Sequence, residues 1–135
     1  MDDNCIFCKI IKGEIPSYTV YEDDYFKAIL DRFPGAKGHT IIIPKKHCTN
    51  IIDFDEEYSS KIIEVAKKVV QKLDKALNAD GYNLVQNNGE AAGQTVFHFH
   101  MHVMPRYEKD DIKIGWHQLE LTDEEMQEVY DEIMK

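Results

Sequence analysis

The chain has 135 residues, a length that holds one domain around one core and is too short for two. Its 43% apolar and 30% charged residues are ordinary for a folded globular protein, and 25 Asp+Glu against 16 Lys+Arg set a formal net charge of −9. That acidic balance repels extended polyanions, so nucleic acid is excluded as the expected partner, whereas a small anion held by local donors is not.

The acidic opening Met1-Asp2-Asp3-Asn4 leads into no long apolar stretch, so no secretion signal, no membrane span and a cytoplasmic location are expected. Cys5, Cys8 and Cys48 are an odd count, which argues against a disulfide framework. From about Tyr18 to Leu30, alternating apolar positions around the turn signal Glu22-Asp23-Asp24 predict a hairpin. Gly35-Ala36-Lys37-Gly38 breaks the chain before His39-Thr40-Ile41-Ile42-Ile43-Pro44, a buried strand that Pro44 ends.

From about Glu56 to Leu77 the apolar positions Ile62, Ala66, Val69, Val70, Leu73 and Leu77 keep helical spacing, which predicts one long helix. Tyr82 to Gln86 reads as a strand, followed by a polar, glycine-containing loop and a second strand over Val96 to Pro105. Thr122-Asp123-Glu124-Glu125 has the capping-box arrangement and starts a short C-terminal helix through Met134. These elements predict an α+β fold spanning residues 1–135 as a single domain, with a mostly antiparallel sheet and the long helix packed on it.

The segment His98-Phe99-His100-Met101-His102 holds three of the six histidines. In an extended strand they share one face while Phe99, Met101 and Val103 fill the other. A strand rises about 3.3 Å per residue, so His98 and His102 lie roughly 13 Å apart, too far to share one ion at metal–nitrogen bonds of about 2 Å. A nucleophile flanked by helpers suits the spacing better: if a carbonyl accepts the Nδ1 proton of His100, its Nε2 lone pair faces outward. Gly93-Gln94-Thr95-Val96 adds an amide and a hydroxyl suited to phosphate oxygens, which makes phosphorus the expected electrophile.

This pattern, with Leu30-Asp31, Pro34, Gly38-His39-Thr40 and Ile43-Pro44-Lys45-Lys46-His47 upstream, resembles the histidine triad family of nucleotide hydrolases and transferases. The resemblance covers about Cys5 to Arg106. It implies a homodimer that cleaves an AMP-like nucleotide at its α-phosphate through a nucleotidyl-histidine on His100. It also implies a structural His98, a phosphate-binding His102, His39 near the α-phosphate, Asp31 on the ribose hydroxyls, and Asn87, Gln94 and Thr95 on the phosphate and leaving group. The leaving group stays open between a phosphoramidate amine and a dinucleoside polyphosphate arm, and a nucleotide-binding regulatory module with little hydrolysis is the rival.

Cys5-Ile6-Phe7-Cys8 has the spacing of a zinc knuckle, with His47 and His98 as the further ligands; two free thiols are the alternative. Resemblance to zinc-bearing bacterial members implies a structural zinc that chemistry does not require. Arg106 is weighed as a phosphate partner against a surface charge, and Trp116 and His117 lie in a segment that in related dimers reaches the neighbouring protomer.

Overall fold

A computed structural model of the chain describes residues 4–135; the acidic opening Met1-Asp2-Asp3 lies outside them. Helix α1 (Ile6–Lys12) precedes the hairpin β1 (Thr19–Glu22) and β2 (Phe26–Leu30), then β3 (Thr40–Pro44). Helices α2 (Glu56–Ser59) and α3 (Ile62–Leu77) follow, then β4 (Gly81–Val85), β5 (Met101–Arg106) and α4 (Asp123–Ile133). The strands form one five-stranded sheet in the order β1-β2-β3-β5-β4, and every neighbouring pair is antiparallel. The α+β architecture expected from the sequence is the one observed.

The hairpin turn is built by Asp23, whose Oδ1 accepts from the Tyr25 and Phe26 amides at 2.8 and 2.7 Å. Alternation along the strands gives the sheet two unlike faces. On one, Phe26, Ala28, Ile42, Phe99 and Val103 meet Val65, Ala66, Val69 and Leu73 of α3. On the other, Ile29, Ile41 and Ile43 meet Phe7, Cys8 and Ile10 of α1. Ile41 is paired with His102 in the β3–β5 ladder, so the histidine row belongs to the α1 face.

Three departures from the expected elements have local causes. Helix α1 is additional: Cys5 caps it, its Sγ accepting from the Cys8 amide at 3.2 Å, and Gly13 ends it at φ 83°. The long helix is two helices, because the Ser59 and Ser60 hydroxyls bond back to the Glu56 and Glu57 carbonyls and interrupt the run before Lys61. The histidine strand begins only at Met101. Continuing the ladder would bring Pro44 opposite Phe99, and Pro44 has no N–H to give; its carbonyl is taken by the His98 ring, while the Phe99 amide turns to the Cys48 carbonyl at 2.8 Å.

Gly38 lies against the end of α3. At φ +92° a Cβ there would collide with Leu77 Cδ1 and press on Pro105. Helix α4 is capped as expected by Thr122 and Glu125, but all its residues are exposed, including Met126, Val129, Tyr130 and Ile133 on one stripe. No helix among the described residues is long and apolar enough to cross a membrane.

Candidate functional site

The three histidines of the row differ in what holds the second nitrogen of each ring. A carbonyl can only accept, so the ring nitrogen facing one carries the proton. His98 Nε2 donates to the Pro44 carbonyl at 2.9 Å, which leaves the Nδ1 lone pair to point elsewhere. His100 is reversed: Nδ1 donates to the His98 carbonyl at 2.8 Å, and Nε2 keeps the lone pair. Both rings are buried, and burial lowers the pKa of each, His98 to about 4, so both are neutral near pH 7.

The His98 lone pair faces sulfur. Nδ1 lies 3.2 Å from Cys5 Sγ, 3.5 Å from Cys8 Sγ and 3.0 Å from His47 Nδ1, which is itself 3.3 Å from Cys8 Sγ. One ligand atom from each of Cys5, Cys8, His47 and His98 falls within 4.8 Å of the others, and no disulfide joins the thiols. Two thiolates and two imidazoles in one knot are a complete tetrahedral donor set, and this cluster can hold a metal ion. Helix α1 brings the cysteines, the end of β3 brings His47, and the stretch before β5 brings His98.

At the other end of the row His102 meets His39. The Gly35 amide donates to His39 Nδ1 at 3.0 Å, so the His39 proton sits on Nε2. That nitrogen is 2.8 Å from His102 Nδ1 and 3.5 Å from Asp31 Oδ2. His39 therefore donates to His102, and the His102 proton is left on Nε2. Asp31, His39 and His102 also lie within 4.8 Å of one another. Because the His39 Nε2 is protonated, however, it offers no lone pair to an ion, and the group is a hydrogen-bonded chain. Burial lowers both pKa values, and for His102 the neighbouring His100 and His39 add to the effect, bringing it to about 4.

Rings of His100 and His102 stand 5.1 Å apart at 72°. Together they offer a nucleophilic lone pair on one and a hydrogen-bond donor on the other. Asp31 is anchored beside them, its Oδ1 accepting from the Phe33 amide at 2.9 Å. The remaining expected site residues stand apart. Gln94 is buried with its amide engaged by main chain: Oε1 accepts from Gly89, and Nε2 donates to the Thr49 and Val96 carbonyls. Both of its donors are thus engaged by the loop's main chain. Asn87 is half-buried with its amide against Gly93, and Thr95 is exposed on a cleft with Ile6, His47 and Phe97. Among the described residues neither hydrogen-bonds a histidine.

Arg106 forms a two-pronged pair with Asp110 at 2.8 and 2.9 Å and also donates to Asn83 Oδ1 and the Ile112 carbonyl. It clamps the chain after β5. Trp116 and His117 are exposed on that chain. Sequence reasoning expected a carbonyl behind His100 without naming it as that of His98, and it missed Gly35 and Pro44, which act through main-chain atoms that any residue type carries. It also missed Phe7 as a neighbour of the row: its ring lies 5.9 Å from His98 and 5.0 Å from His100.

The antiparallel sheet with this row of imidazoles defines the class, a histidine triad protein. The sequence profile of the HIT domain matches residues 12–109. Adenosine 5'-monophosphoramidase HNT1 of Saccharomyces cerevisiae is 41% identical over 135 residues, covering 99% of this chain and 83% of its own. A crystal structure of a HIT family member from Bacillus subtilis superposes with a TM-score of 0.92 at 41% identity, covering 98% of this chain and 96% of that one. A zinc-bound histidine triad family protein from Mycobacterium smegmatis superposes with a TM-score of 0.77 at 38% identity over 84% of this chain and 83% of that one. The chain belongs to the HIT family.

Proposed function

We propose that the protein is a nucleotide hydrolase that cleaves AMP-like nucleotides at the α-phosphate through His100. The observation that carries this reading is the bond from His100 Nδ1 to the His98 carbonyl, which keeps Nε2 unprotonated and directed away from the main chain. Nε2 forms a bond to the α-phosphorus as the bond to the leaving group breaks, the leaving group taking that electron pair and a proton from solvent. Water then adds its hydroxyl to phosphorus, its other proton passes to solvent, and the electron pair of the phosphorus–nitrogen bond returns to Nε2. The Nε2–H of His102 stabilises the phosphate oxygens as charge develops there, and His39 holds that donor in place. Asp31 receives the ribose hydroxyls, and Asn87 and Thr95 contact phosphate and leaving group.

Of the two leaving groups the sequence leaves open, our reading takes an amine rather than a polyphosphate arm. Arg106, the cation nearest in sequence to the row, is neutralised by Asp110, so it offers no charge to further phosphates. The phosphoramidase name of the yeast relative agrees with that choice.

Zinc is the ion proposed for Cys5, Cys8, His47 and His98, in keeping with the zinc-bound mycobacterial relative. With all four positions filled by protein, it would supply a crosslink between α1 and the histidine row and no site for substrate or water. Reduced thiols in that role accord with a cytoplasmic location. A homodimer belongs to the same reading: α4 and the Trp116 segment expose apolar side chains that their own chain leaves uncovered.

Brief mixing with an AMP phosphoramidate followed by mass spectrometry tests the proposal. An adenylyl adduct on His100 is the expected result. An adduct elsewhere overturns the nucleophile, and AMP binding with no turnover or adduct reduces the protein to a nucleotide-binding module.

A further inference from the structure

His100 can act as a nucleophile only while its ring points Nε2 at phosphorus, and the bond to the His98 carbonyl fixes one atom of that ring. One hydrogen bond exchanged against water favours its geometry only about five- to tenfold over the alternatives. The plane of the ring also depends on the rings packed against it. Phe7 stands against it at 5.0 Å and 75°, and His102 at 5.1 Å and 72°. His102 is held in turn by His39. Phe7 is held because α1 is short and tied at both flanks of the ring: Cys5 and Cys8 belong to the sulfur–imidazole cluster, and Ile10 packs in the same core with Ile29, Ile41 and Ile43.

From this geometry we infer that Phe7 is a positioning residue for His100, an aromatic stop carried by α1 that keeps the imidazole in its attacking orientation. The inference rests on the proposed nucleophile and adds to it a side chain that makes no contact with phosphorus. A misplacement of about 1 Å in an attacking atom costs a rate on the order of a hundredfold, so a loosened ring is kinetically visible even when the fold is intact. Leucine at position 7 would fill much of the space and keep the core apolar, but it has no flat edge to set against a ring.

The experiment compares Phe7→Leu, Phe7→Tyr and His100→Ala with the unaltered metal-loaded protein. Single-turnover rate on an AMP phosphoramidate, AMP affinity, metal content and the imidazole NMR signals of His100 are measured on each. The expected result is a drop of about tenfold in rate for Phe7→Leu, with AMP affinity within about threefold and metal content unchanged. His100 signals broaden by ring exchange in that variant, and Phe7→Tyr recovers most of the rate and the sharp signals. An unchanged rate in Phe7→Leu overturns the inference. So does a loss shared equally by Phe7→Leu and Phe7→Tyr, or one that tracks metal content, since either marks a packing role. If His100→Ala keeps the native rate, the nucleophile itself is wrong, an outcome the Phe7 variants cannot mimic.

Discussion

The two ends of the histidine row hold side-chain clusters of opposite chemistry. Around His98, both ring nitrogens are used inward: one donates to the Pro44 carbonyl and the other faces two sulfurs and His47. Around His102, the inward nitrogen accepts from His39 and the other is left facing out with its proton. His100 lies between them with its proton inward and its lone pair outward. One residue type thus presents a lone pair toward a sulfur cluster, a lone pair facing outward and a donor within a few positions, set for His98 and His100 by a main-chain carbonyl and for His102 by the His39 ring.

Removing the middle member gives the largest effect. His100→Ala is expected to lower turnover by at least about 10⁴-fold while AMP affinity stays within about threefold, measured by steady-state kinetics and calorimetry. Loss of AMP binding to the same degree would merge the nucleophile with the binding site and erase the contrast. At the other end, His39→Ala takes away the donor that sets the His102 tautomer. A drop of about 10- to 100-fold in kcat with little change in melting temperature is expected.

The sulfur end is expected to behave the opposite way. Cys8→Ala, or a strong chelator, should lower the melting temperature by about 10 °C and leave turnover within about tenfold of native. Activity that vanishes in step with metal would make the two ends one catalytic unit.

A smaller effect, shared by both ends, appears with pH. The folded His102 and His39 have lowered pKa values because they are buried, so the unfolded chain binds protons more readily once pH falls below about 6.5. Stability from keeping these rings neutral is complete above that pH and is lost as pH falls toward about 4, the folded value of His102. Melting temperature should therefore be level near pH 7 and fall by several degrees across that window, and His102→Asn should flatten the slope. The smallest effect is expected at Arg106→Lys, which breaks the two-pronged pair with Asp110. It should lower melting temperature by a few degrees and leave kcat unchanged.

Much of this was legible in the residues. The isoleucine run of β3, the apolar stripe of α3 and the Thr122 capping box each carry a periodicity or a side-chain signal. Helix α1 carries neither: a cysteine N-cap stands outside the usual Ser, Thr, Asp and Asn. The spacing argument against one shared ion held, since His98 and His102 lie in separate clusters. It did not reach the reason, which depends on carbonyls and amides that every position owns. The engagement of Gln94 and Arg106 was equally hidden, because their partners come from loops distant in sequence or after the last strand.

Gly38 has a consequence for what substitutions the chain tolerates. It lies directly before His39 and against the end of α3, where an added Cβ would collide with the Leu77 side chain and press on Pro105. Any larger group would have to displace the Leu77 side chain and hold a backbone at φ +92°, and the next residue is the imidazole that orients His102. A side chain of the helix on the far side of the sheet is in this way a packing boundary for the residue next to His39.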